Sequence, residues 1–293
     1  MNNTIFKKCI AFILLLISFS VPFFLNLANA ENKNYNIETV EPGLPHISYN
    51  AKSKMASSII SKNGGIIIQR AAVLPDFASL EQASRYYLSD DGYGRLFGIK
   101  DQESELKYLR ESVVVDSANS MYRNRSFVRF QQVYNKIPVF CGELIVELDA
   151  YKNLLAVTGK FVPHINISII PKITADKAKF AAISEVSTIH NLNKNNLNAS
   201  SPELWIYNPI ILDGPGLETS RLVWRTIVES NMDDHVKVLV LIDAELNNAA
   251  LMFNYFDAPD KADNLLFYYQ SGSIRQSFST ISDAFNNIKL NNN

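Results

Sequence analysis

Hydrophobic and polar positions along this chain alternate between two periods. Phe77, Leu80, Ala83, Tyr86, Tyr87 and Leu88 recur near helical spacing. That spacing predicts a helix opening at Pro75-Asp76 and stopping at Asp90-Asp91-Gly92. Leu96–Ile99 is a short apolar run. Glu105–Val115 opens ambiguously, and its β-branched Val113-Val114-Val115 favours a strand. From Phe127 onward the period is two. Phe127–Tyr134, Ile137–Leu148 and Leu154–Phe161 read as strands joined by polar turns at Asn135-Lys136 and Asp149–Asn153, a meander.

A boundary falls at Pro163–Pro171. Beyond it Thr174 is placed to cap a helix that runs to about His190, with Asp176 at its positive end. Ala178, Ala181, Ala182, Ile183 and Val186 supply its packing side. Asn191–Ser201 reads as a polar loop. Glu203–Tyr207, Arg221–Ser230, His235–Ile242 and Ala249–Phe256 follow as strands, with Glu245–Asn248 as the last turn. Each half thus pairs a helix with an antiparallel meander, which predicts an α+β protein.

The two ends read differently. Lys7-Lys8, the apolar run Ile10–Ile17 and the small-x-small Ala28-Asn29-Ala30 have the layout of a signal peptide over residues 1–30. The competing reading is an uncleaved anchor. Cleavage would remove Cys9 and two lysines, taking the net charge from −1 to −3 and leaving Cys141 as the only thiol. The mature chain is then secreted, extracellular or periplasmic, with no stable membrane span. Residues 31–74 read as a mobile lead-in broken by Pro42 and Pro45. The tail, 258–293, has an apolar stretch at Leu265–Tyr269 and a short helical pattern at Ser279–Leu290.

Composition narrows the function classes. The chain has 293 residues, 47% of them hydrophobic and 19% charged. It can therefore build a core and is neither disordered nor cysteine-stapled. Its 28 basic and 29 acidic residues nearly balance, which argues against nucleic acid as a partner. Arg123, Arg125 and Arg129 interleave with Tyr122, Phe127 and Phe130; the reading is a strand with a wet basic side and an apolar core side. His46, His164, His190 and His235 lack metal-ligand spacing, and no His-Glu-x-x-His occurs. Cys141 reads as a buried small hydrophobe. Asp90-Asp91 and Asp233-Asp234 read as solvated turns. No nucleophile, base and stabiliser group together. We expect no catalytic residue, no metal site and no cofactor. Asn124, Asn166 and Asn198 head Asn-x-Ser sequons, relevant only in a glycosylating pathway.

One stretch carries a resemblance. Phe127-Val-Arg-Phe-Gln-Gln-Val-Tyr-Asn-Lys-Ile-Pro-Val-Phe-Cys-Gly-Glu-Leu-Ile-Val-Glu-Leu-Asp149 resembles the fungalysin/thermolysin propeptide (FTP) motif, and Leu155–Pro163 resembles the strand after it. Phe127 stands where the motif has His, and Cys141 where it has Gly. Ile173–Phe256 is similar to the PepSY-type propeptide region of thermolysin-like metallopeptidase precursors, through Glu203–Pro209, Arg221–Arg225 and Val240–Ala244. The motif residues are Arg129, Gln131, Gln132, Pro138, Gly142, Trp224 and Asp243, which buried polar networks would also explain.

The resemblance implies two cystatin-like units, each a helix packed on an antiparallel sheet: an FTP-like domain at 75–163 and a PepSY-like domain at 164–257. It also implies a role. Such propeptides cap the cleft of a zinc metallopeptidase and assist its folding, while the related full-length precursors are zinc metalloendopeptidases. The expectation is a secreted, non-catalytic inhibitor or folding assistant, an intramolecular chaperone when joined to its peptidase. Its partner is a thermolysin-like peptidase domain, in trans, or in cis in a longer precursor. The alternatives are a truncated N-terminal part of such a precursor, ending before the peptidase domain, and a secreted peptide- or glycan-binding module.

Overall fold

The computed structural model describes residues 45–61, 65–68, 78–89, 92–115, 124–212, 218–232, 236–254, 267–271 and 274–278. The signal-peptide region 1–30, Arg123, His235 and the Ser279–Leu290 pattern lie outside them. The first elements are β1 (Pro45–Tyr49), β2 (Ala56–Ser61), α1 (Leu80–Tyr87), α2 (Gly94–Phe97), α3 (Gln102–Glu105) and β3 (Leu106–Val115). Then come β4 (Asn124–Tyr134), β5 (Ile137–Leu148), β6 (Leu154–Gly159), α4 (Ala175–His190), β7 (Leu197–Ala199) and β8 (Glu203–Tyr207). The last are β9 (Arg221–Ser230), β10 (Lys237–Asp243), β11 (Ala249–Asn254), β12 (Phe267–Ser271) and β13 (Ile274–Phe278).

Hydrogen bonding joins β1 to β11 into an eleven-stranded sheet. Its main path runs β1-β2-β6-β5-β8-β9-β10-β11, with β4 between β3 and β5, and β7 on β9. This corrects the expectation of two cystatin-like helix-on-sheet units: the protein is mostly β, with few helices. The physical reason lies in β5. Its residues Leu144–Leu148 pair antiparallel with β6, while Val139 pairs in parallel with Ile206 of β8. β5 thus takes part in the pairing of both sequence halves. The expected lead-in also differs, because Pro45–Tyr49 and Ala56–Ser61 form an antiparallel pair. Their alternation is short and lies in a polar stretch, which reads as linker in sequence. In the tail, Phe267–Ser271 and Ile274–Phe278 pair with each other.

The chain divides into two compact units. One holds the described residues up to Gln131 together with Glu143–Phe161; the other holds Gln132–Gly142 and the described residues from Val162 on. In the first, Ile59, Tyr87, Leu88, Phe97, Leu106, Phe130, Leu144, Leu148 and Leu154 are buried together. Its helix α1 starts on a capping box: the Gln82 N–H donates to Ser79 Oγ at 3.1 Å and the Ser79 N–H to Gln82 Oε1 at 2.8 Å. These bonds satisfy two of the donors a helix start leaves open. The Tyr87 hydroxyl donates to the Lys152 carbonyl at 2.8 Å, tying α1 to the turn between β5 and β6. Asp149 shapes that turn, accepting from the Tyr151 and Asn153 N–H groups at 2.8 Å each.

In the second unit, Ala178, Ala182 and Val186 of α4 pack against Val228, Val238, Val240 and Ile242. The helix keeps its expected Thr174 cap, with the Lys177 N–H donating to Oγ1 at 3.3 Å. It ends at Asn191 in the left-handed conformation, which Asn tolerates better than most residues.

Two backbone features define the β4–β5 hairpin. Asn135 and Lys136 both have positive φ, 48° and 68°, the pattern of a two-residue turn whose twist matches its strands. Cys141 has φ 59° inside β5. A left-handed residue there interrupts the ladder as a β-bulge does, and the conformation costs a non-glycine residue about 1–2 kcal/mol. Replacement by glycine removes that cost and adds about 0.5–1 kcal/mol of backbone entropy. Cys141→Gly is therefore expected to raise unfolding free energy by about 0.5–1 kcal/mol in denaturant titration; a fall would contradict the strain.

Candidate functional site

The motif residues fall into three groups, and each group is held by its own local chemistry. Arg129 points from β4 to Glu143 of β5, with Nη1 to Oε2 at 3.0 Å. Only 12% and 4% of the two side chains are exposed. Four residues away on the same face of each strand, Arg125 meets Glu147 at 2.7 Å. Arg125 is exposed, as a basic side turned to water requires, and is paired as well. Arg129 departs from that expectation, because its side chain is largely buried against a carboxylate. Sequence reading passed over Glu143 and Glu147, although Glu-x-x-x-Glu recurs in β5 at the spacing of the arginines in β4.

Burial raises the Glu143 carboxyl above its ordinary value, and the Arg129 and Arg110 guanidiniums only partly oppose the shift. Burial likewise raises Glu147 against the pull of Arg125. Both carboxylates, Glu143 buried and Glu147 half-buried, are therefore easier to protonate in the folded chain than in the unfolded one.

Gln132 forms the second group. It is 3% exposed. Its Nε2 donates to the Val162 carbonyl at 2.7 Å, and the Val162 N–H donates back to Oε1 at 2.8 Å. The side-chain amide thus imitates a strand neighbour for Val162, just past the end of β6. Gly142 makes room for this clamp. A Cβ at 142 would lie 2.9 Å from Gln132 Oε1 and 3.0 Å from the Val139 Cβ. Gln131 is also buried. Pro138 is the second residue of β5.

Trp224 and Asp243 form the third group, on β9 and at the end of β10. Trp224 stands opposite Ile242, and its Nε1–H donates to the Ile173 carbonyl at 3.1 Å. The Ile173 N–H in turn donates to the Ala244 carbonyl at 3.1 Å, so the residue before the Thr174 cap is fixed on both sides. Asp243 Oδ1 accepts from the Glu245 and Leu246 N–H groups at 2.9 and 3.0 Å, an Asx turn. Its Oδ2 lies 3.5 Å from Arg221 Nη1. Arg129, Gln132, Gly142, Trp224 and Asp243 thus brace strands and turns.

Other contacts were not legible in sequence. Arg85, the i+4 partner of Glu81, donates to the Gln102 and Leu106 carbonyls at 2.6 and 3.2 Å and lies over the Phe130 ring at 5.2 Å. Phe140 meets Trp205 and Tyr207 edge-on at 6.3 Å each. Arg225 covers Trp205 at 5.2 Å. Burial pushes the Tyr207 phenol far above its usual range. Phe140 and Tyr207 are core, not a ligand-binding platform.

The expected chemistry-bearing residues stay apart. His46 and His164 are exposed on separate segments, and His190 closes α4. Cys141 is half-buried instead of fully buried. Among the described residues, no three His, Cys, Asp or Glu side chains converge as metal ligands, and no helix is long and apolar enough to cross a membrane.

Residues 125–161 match the family model of the Fungalysin/Thermolysin Propeptide Motif. The matched span covers β4, β5 and β6, with Arg129, Gln131, Gln132, Pro138 and Gly142 inside it. No curated protein matches the chain.

The raised Glu143 and Glu147 carboxyls fix the sign of a pH effect. A folded-state value above the unfolded one stabilises at low pH, and the stabilisation is lost as pH rises through the folded value. Asp101, held low mainly by the Ser104 hydroxyl, shifts the opposite way and acts at lower pH. Unfolding free energy is expected to be higher near pH 5 than at pH 7, and Glu143→Gln to flatten that slope. Denaturant titrations of both proteins across this range check it; an identical slope in the variant would contradict it.

Proposed function

We propose that this chain is a secreted, non-catalytic propeptide-like protein that caps a thermolysin-like zinc metallopeptidase and assists its folding. The observation that carries the reading is the family match over 125–161, on a span in which Arg129, Gln132 and Gly142 brace the fold. A propeptide requires a rigid body that a peptidase can grip without cleaving. Paired strands serve that need, because a protease binds its substrate as an extended, unpaired chain. A cap that binds the native peptidase and not its unfolded chain stabilises it by mass action.

In this reading the β4–β6 span is the FTP module, and α4 with β7–β11 corresponds to a PepSY-type propeptide region. The support for the second assignment is the role of Trp224 and Asp243, which fix the start of α4 and the β10–β11 turn. The peptidase is engaged in trans, or in cis in a longer precursor. Secretion rests on the signal-like pattern of residues 1–30 and on the export of the peptidases such propeptides accompany.

Thermolysin serves as the probe. The purified chain at micromolar concentration is expected to slow thermolysin cleavage of a small peptide at least about tenfold, and to raise the yield of active enzyme refolded from denaturant. A chain that changes neither rate nor yield, with thermolysin or with a peptidase secreted by the same cells, would overturn the proposal.

A further inference from the structure

β3 is an edge. It pairs with β4 and, among the described residues, with no other strand. Lys107, Leu109, Glu111 and Val113 alternate along it, so they share one face, and all four are exposed. Leu109 is 39% exposed, Val113 54% and Val114 37%. A long apolar edge offers its backbone donors and acceptors to any incoming strand, and proteins usually blunt such edges with charge. β3 carries charge at Lys107, Arg110 and Glu111. Whether those charges repel a strand depends on what they face.

We infer that the free edge of β3 pairs antiparallel with β3 of a second copy of this chain, centred on Leu109. In a two-fold strand pair, residue numbers facing each other add to a constant even sum, which keeps each side chain on its own face. With Leu109 facing Leu109, Lys107 of each copy faces Glu111 of the other, and Tyr108 faces Arg110. The exposed face then carries an apolar centre between two ion pairs, and the other face two cation–aromatic pairs. The neighbouring registers fail. Centred on Arg110 or Glu111, like charges oppose directly. Centred on Tyr108, Lys107 faces Leu109 and Arg110 faces Leu106. Centred on Ser112 or Val113, Glu111 faces valine. One register gives Lys107 and Glu111 an opposite charge each and opposes no like charges, and its partner is the same sequence. This inference does not depend on the propeptide reading.

Charge reversal tests it. Lys107→Glu and Glu111→Lys each place like charges opposite one another in the homodimer, while a mixture of the two variants restores both ion pairs. Sedimentation velocity of the full chain is expected to show a dimer at micromolar concentration. Each variant alone should dissociate at least about tenfold more readily, and the equimolar mixture should recover the wild-type dimer. A wild-type chain that stays monomeric to about 100 µM would overturn the inference, as would a dimer indifferent to both reversals. So would a chain that stays monomeric and has β3 covered by a peptidase strand.

Discussion

The change of partner along β5 is the constraint on which the rest of the sheet depends. From Leu144 onward the strand pairs with β6; at Val139 the neighbour is β8. Between these stretches the backbone turns left-handed at Cys141, and every feature nearby serves the change. Gly159, at φ 146°, lets β6 end against the Glu143 carbonyl, which a Cβ there would approach to 2.1 Å. The same carbonyl accepts from the Lys160 N–H at 2.9 Å. Two residues later Gln132 takes over Val162 with a pair of side-chain hydrogen bonds. Side chain and glycine together supply what a continuous ladder would have supplied, and the Lys160 and Val162 N–H groups keep partners.

This explains why motif residues that look like a polar site behave as structure. Arg129 neutralises a carboxylate that burial alone would disfavour, and removing one partner of such a pair leaves a charge stranded. Gln132 and Gly142 are a clamp and the space for it. Trp224 and Asp243 do similar work on β9 and β10, where they set the residues entering α4 and the turn leaving β10. A protein built this way offers braced strands as its working surface. That suits a role in which binding, and not chemistry, is the activity.

Much of this was legible in the sequence, for physical reasons. Ile137–Leu148 and Arg221–Ser230 follow the two-residue period closely enough to place both ends of each strand. Thr174 and Asp176 mark α4 with a cap and a matching charge. The capping box Ser79-x-x-Gln82 was equally readable, but the apolar spacing upstream drew the predicted start to Pro75-Asp76. Sheet membership was not legible. Periodicity fixes which face a residue occupies and says nothing about which strand lies alongside, so the pairing of β5 with β8 and the β1–β2 hairpin stayed hidden. The Arg129–Glu143 pair escaped because its members lie on different strands, and the Gln132–Val162 clamp because it spans thirty residues.

The most direct test of this account is amide hydrogen exchange at Val162 and Lys160, whose N–H groups meet Gln132 and Glu143. If the motif residues are structural clamps, both amides exchange slowly, with opening free energies close to that of global unfolding. Gln132→Ala then speeds exchange at Val162 by at least about tenfold and leaves the β10 amides at their wild-type rates. Rapid exchange at Val162 in the unaltered chain, or no change in the variant, would contradict the account and return Gln132 to the residues available for binding.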